Sequence, residues 1–299
     1  MPIRPSIILA LHLTALAVTA HESPEHNVQH LSKHIQTHRT PDNLLQRAIA
    51  YRALNQLENA RADLRSAITI APERPHLHLE LCRVQLALAQ PTQALLSANH
   101  ALQQSHTPSQ RASAHILRAE AYQLNGQHQP SLQAVQLAFQ EVPRGEIEWF
   151  LLRSENQRQL ALHTQRIADL KSGHRRHHSA VLKAHWVDAL IDASDYKTAL
   201  PLIDSELSDR RWKSSWLIKR ARTLQGLQRN TDAASALHAA LAEIRPRLNS
   251  ARPDPLLLAD QGIAHALLGN LAGARCCLES LHHHRAPHWI TSRLEEIIR

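Results

Sequence analysis

The chain has 299 residues, 43% of them hydrophobic but only 3% aromatic, so its core must be built from Leu and Ala rather than large rings. Gly is rare (7) and β-branched runs are absent, which points to an all-α protein rather than a sheet. The formal charge is +8 with 23 His besides, which suits acidic partners, but no Lys/Arg run exceeds two and stacking aromatics are few, which argues against nucleic acid.

In chain order, residues 1–20 read as a secretory signal. Arg4 supplies the charge, Ile7 to Val18 the apolar stretch, and Ala15-Leu16-Ala17 or Val18-Thr19-Ala20 the small residues for cleavage. The stretch is too short for a membrane span, which needs ~20 residues. The expectation is an exported chain, periplasmic or secreted, with no membrane span. Ser23-Pro24-Glu25 then starts a helix. On it His26, His30, His34 and His38 fall at i, i+4, i+8 and i+12, forming one stripe beside Val28, Leu31 and Ile35. Imidazoles at this spacing can share Zn²⁺, Cu²⁺ or Ni²⁺. Weak metal binding is therefore the alternative function; the default is a solvated helix flank.

A repeat follows. Ala48, Tyr51, Ala60, Leu64, Ala67 and Pro72 recur at the same spacing as Ala119, Tyr122, Ser131, Val135, Ala138 and Pro143. They recur again as Ala221, Leu224, Ala233, Leu237 and Ala240, with Pro246 one place late. Small residues at fixed offsets in two successive apolar stretches predict closely packed helix pairs, and a period near 34 residues predicts an array of them. Units are expected to start near 41, 75, 112, 146, 180, 214 and 255, with a cap over 287–299. Their eighth positions are 48, 82, 119, 153, 187, 221 and 262. The long steps coincide with insertions at Gln104–Gln110 and Arg247–Asp254. Gly126 is expected to supply positive φ in an inter-helix turn. The fourth unit departs from the chemistry: Arg153 and Gln165 take small-residue positions, and Lys171 to His178 is expected to be a basic loop. Cys82, Cys276 and Cys277 are read as buried small hydrophobes. His282, His283, His284 and His288 are read as capping a helix C-terminus.

On these residues the chain resembles the tetratricopeptide repeat (TPR) family over roughly 41–286, in the manner of exported bacterial members of unassigned activity. Leu44, His115 and Leu217 stand where the full family pattern has Trp. The resemblance implies a right-handed α-solenoid of about seven helix pairs, with a leading helix and a C-terminal capping helix. Residues 21–299 would form a single superhelical domain. It also implies a non-catalytic scaffold holding a peptide or partner protein in a groove lined by the first helix of each unit. Carried onto this sequence, the groove residues are Leu45, Ile49, Arg52, Leu79, Arg83, Ile116, Glu120 and Arg222. The mixed apolar and basic lining suits an extended peptide with acidic character. No nucleophile constellation, phosphate-cradling Gly loop or His-Glu-x-x-His is present, so no catalytic residue and no cofactor is expected.

Overall fold

The computed structural model describes residues 23–209, 211–248 and 253–298. The expected signal segment lies outside them. The described residues form α-helices joined by short turns, with one 3₁₀ turn at Arg245–Arg247 and no strand. The chain divides into two compact units, 1–162 and 163–299. The first holds α1 (Pro24–Thr37), α2 (Pro41–Ala53), α3 (Leu57–Ile70), α4 (Pro75–Ala87), α5 (Pro91–Gln103), α6 (Pro108–Leu124), α7 (His128–Glu141) and α8 (Ile147–Gln159). The second holds α9 (His163–His177), α10 (Ala180–Asp192), α11 (Tyr196–Asp209), α12 (Ser214–Gly226), α13 (Asn230–Ile244), α14 (Pro255–Leu267), α15 (Leu271–His283) and α16 (His288–Ile298).

Local chemistry sets the starts. The Ser23, Thr40, Thr107 and Ser179 hydroxyls accept N–H groups of the first turns of α1, α2, α6 and α10, and Pro opens α1, α2, α4, α5, α6 and α14. Thr107 and Gln110 form a reciprocal capping box. It draws the end of the expected insertion into α6, which starts at Pro108 rather than near 112.

The turns between the two helices of each repeat share one geometry, which recurs at Arg285 before α16. Asn55, Ala89, Gly126, Ala161, Ser194, Gln228 and Gly269 all have φ between 55° and 80°. After each, the next N–H donates back to the carbonyl five residues earlier, as in Gln56 to Tyr51 (2.8 Å) and Arg229 to Leu224 (2.8 Å). This is the αL closure that satisfies the last carbonyls of a helix.

These turns correct the register of the fourth repeat. Ala161 occupies the turn position, which moves the start of that repeat to 147. Ser154 then takes the small-residue place and is buried, Arg166 stands where other repeats have Ala or Ser, and Gly173 matches Ala67. Gln165 is exposed, so it never occupied a contact position. The slip comes from one extra residue before α8, accommodated by Gly145 at φ 61° against the Phe139 ring. Arg153 stacks over Phe139 and Phe150, 4.4 and 5.2 Å from the ring centroids. The expected basic loop is also corrected: α9 runs on through His177, because Gly173 supplies its small contact position, and it ends only where His178 turns to φ 49°. Similarly, Cys276 is exposed, since its neighbour Cys277 takes the inward position on α15.

The cores follow the pattern otherwise. Ala48, Ala60 and Leu64 pack with Leu81 and Val84, and the Cys82 layer holds Ala94, Ala98, Ala101 and Leu117. Where a contact residue is polar it bonds the facing helix: Cys82 Sγ donates to the Ala94 carbonyl (3.2 Å) and Ser131 Oγ to that of Ala119 (2.7 Å). In the second unit Gly262 lets Leu294 of α16 approach to where a Cβ would clash, and Ile290 and Leu294 join the terminal core. The last helix therefore covers an apolar end, as expected of a cap.

Candidate functional site

The first helices of the repeats line one face of each unit. In the first unit that face comes from α2, α4, α6 and α8. Leu45, Ile49, Arg52 and Arg83 are half-buried on α2 and α4, while Leu79, Ile116 and Glu120 are buried by their neighbours. The accessible part is thus the α2–α4 end. Its centre is Glu80, 5% exposed. One carboxylate oxygen accepts from Arg52 Nε and the other from an Nη of Arg83 (2.9 Å). A buried carboxylate between two guanidinium groups fixes both, and the triad keeps a net positive charge. Beside α2, Arg47 forms a bidentate pair with Asp63 (2.7 and 2.6 Å) and reaches Ser32 Oγ on α1 (3.1 Å). Asp63 pushes the Arg47 pKa up further, the hydrogen bond outweighing burial. Deeper in, the side-chain oxygens of Gln85 and Gln123 are buried without a hydrogen-bond partner.

The second unit's corresponding face, from α10, α12, α14 and α16, is filled by its own charges. Asp188 accepts from Lys219 Nζ with both oxygens (2.5 and 2.6 Å) and from Arg293 (3.3 Å). Asp192 pairs with Arg166 (2.8 Å) and Arg222 (3.3 Å). Four alternate helices, α10, α12, α14 and α16, contribute Asp188, Lys219, Asp260 and Arg293, alternating in sign. Burial opposes charge on Asp188, but Lys219 and Arg293 outweigh it and hold its pKa well below the usual carboxylate range. Burial lowers the Lys219 pKa, only partly offset by Asp188, while Asp188 raises that of Arg293. Asp260, desolvated and opposed only in part by Lys219 and Arg293, is pushed up to about 6. Arg222, expected to face a peptide, is engaged within this network.

The His26–His38 stripe and His282, His283 and His284 are exposed. The imidazoles of His26, His30, His34 and His38 stack in sequence with centroids 6.5, 6.4 and 5.0 Å apart. His282 faces Glu295 of α16 (3.3 Å) near the end of α15. Among the described residues no group of three or more His, Cys, Asp or Glu is placed to hold a metal ion. No helix among them is long and apolar enough to cross a membrane.

Sequence reasoning missed Glu80, Asp188, Lys219, Asp260 and Arg293. A signal for four of them was present: Glu80, Lys219 and Asp260 share the sixth position of their repeats, and Asp188 stands at position 9, within the groove set taken from positions 2, 5, 9 and 12. Arg293 had none, because α16 lies outside the repeat.

No protein-family model matches the chain, and no curated protein matches it. Solved structures do. A tetratricopeptide repeat protein from Parabacteroides merdae aligns with TM-score 0.65 and 15% identity over 87% of this chain and 99% of its own. PilF of Pseudomonas aeruginosa aligns with TM-score 0.54 and 18% identity over 67% of this chain and 89% of its own. YrrB, described as a TPR protein with an unusual peptide-binding site, aligns with TM-score 0.50 and 13% identity over 60% of this chain and 91% of its own. The described residues are all-helical and have the fold of tetratricopeptide repeat proteins.

Proposed function

We propose that the protein is an exported, non-catalytic scaffold that holds a peptide or partner protein against the first-helix face of its first unit. The observation that carries this reading is the Arg52–Glu80–Arg83 triad. Glu80 takes one N–H from each guanidinium and leaves others for an outside acceptor, with half-buried Leu45 and Ile49 on the adjoining helix. A carboxylate-bearing extended segment meets both needs, since fixed guanidinium groups lose little entropy on engaging it. The second unit offers less, because its own side chains satisfy its charges.

The test is affinity capture from the native envelope followed by titration of the captured partner. Arg52→Gln with Arg83→Gln is expected to weaken binding at least tenfold, since two charge-assisted contacts are lost. Unchanged affinity in a variant of unchanged helicity would discard this face. N-terminal sequencing of the chain from that envelope checks export, with cleavage expected after residue 17 or 20.

A further inference from the structure

Trp212 serves neither the core nor the peptide face. Trp149, Trp186 and Trp216 are buried and Trp289 is half-buried, but Trp212 stands 51% exposed on the segment between α11 and α12. Its indole N–H meets no acceptor among the described residues. Trp is a largely buried residue in most folds, and one that presents both an apolar ring and a polar edge to solvent suits a boundary between the two.

The ring is held in place. Arg247 Cζ lies 4.1 Å from its centroid and Arg211 Cζ 5.0 Å. Arg247 is fixed in turn by Glu243 (2.8 Å). Glu243 also accepts the Lys213 and Ser214 N–H groups (2.8 and 3.1 Å), which caps α12 and ties down the backbone beside Trp212.

The surroundings are basic. The two segments read Asp209-Arg210-Arg211-Trp212-Lys213 and Arg245-Pro246-Arg247. Glu243 is spent on Arg247 and the helix start, while the side chains of Arg211, Lys213 and Arg245 have no carboxylate partner among the described residues. This setting separates two kinds of partner. A protein hot spot sits at the centre of a wide patch of contact residues that exclude water. Here Ser208, Asp209, Arg211, Arg245 and Pro246 are exposed, and all but the proline are polar. One ring among cations is instead the arrangement of an interfacial Trp, with indole at headgroup depth, its N–H on headgroup oxygens, and Arg and Lys on the phosphates.

We infer that Trp212, with Arg211, Lys213, Arg245 and Arg247 around it, is a foot by which the second unit rests on an anionic phospholipid surface. A single ring and a few cations give reversible, salt-sensitive contact rather than stable anchoring.

The experiment is co-sedimentation of the full chain with phosphatidylcholine vesicles, with and without about 30% phosphatidylglycerol, repeated with brominated acyl chains that quench a Trp at the bilayer surface. Binding and partial quenching are expected only with the anionic lipid, and both should be lost at about 0.5 M salt. Trp212→Ala should weaken binding about tenfold and remove the quenching while helicity stays unchanged. Arg211→Glu with Arg245→Glu should abolish both. The inference is overturned if Trp212→Ala binds vesicles as the parent chain does, since that is adsorption of a basic chain by charge alone. It is equally overturned if no binding occurs with about 1 mM anionic lipid, or if poly-glutamate is bound through Trp212 and vesicles are not, which would make the patch a protein contact.

Discussion

The two units build the same face from the same kind of helix and treat charge in opposite ways. In the first, one buried carboxylate holds two half-buried arginines, leaving a positive surface at the α2–α4 end. In the second, Asp188, Asp192, Lys219, Arg222 and Arg293 consume one another. The lesson is that repeat geometry supplies a face but not its use. Whether a face is open depends on whether the chain carries counter-charges of its own, and here the terminal helix delivers the last of them.

This contrast can be broken by substitution. The largest effect is expected for Asp188→Ala, which strands Lys219 and Arg293 without their anion. Loss of one partner of a buried pair costs about 3–5 kcal/mol. Hydrogen exchange should show the loss in α10, α12 and α16, with the first unit's helices unchanged; equal loss throughout would mean that the two units unfold together.

Next comes the register of the fourth repeat. Ser154→Leu should overpack a buried contact and cost about 1–3 kcal/mol, read by thermal unfolding. Gln165→Leu, on an exposed position, should stay within about 0.5 kcal/mol. The reverse order would restore the original phase of the repeat.

The smallest effect concerns Asp260. Its pKa is raised in the folded chain to about 6, above the unfolded value, so the folded state binds the extra proton. Stability should therefore fall as pH rises from about 4 to 6, with Lys219, Arg293, Asp188 and Asp254 as the charges that set the slope. Asp260→Asn should flatten this slope and raise Tm at pH 7.5. A slope that survives the substitution would assign it to another group.

Much of the fold was legible because its determinants are local and repeated. Ala60, Ala94, Ala199, Ala233 and Ala274 sit at one offset and all are buried. The fourth repeat departs from the expected register for an equally local reason: one inserted residue before α8, at the Gly145 turn, moves every contact position by one, from Arg153 to Ser154 and from Gln165 to Arg166. The site was less legible. Arg52, Arg83 and Arg222 could be placed on the face by spacing, but while Arg83 pairs within its own helix, the partners of Arg52 and Arg222 come from other repeats, Glu80 28 residues from Arg52 and Asp192 30 residues from Arg222. Pairing at that range is a tertiary fact, and no offset within a repeat encodes it.

The seven turns within the repeats are tolerant of sequence. Only two hold Gly at the left-handed position; Asn55, Ala89, Ala161, Ser194 and Gln228 hold side chains there, at a cost of roughly 1–2 kcal/mol each. Packing of the helices, rather than the letter at the turn, must therefore enforce the bend. Different residues can stand at these turns while the backbone stays in place. The fold of such a chain is written as a rhythm of torsion angles, which a comparison of structures detects at 15% identity and a comparison of letters does not.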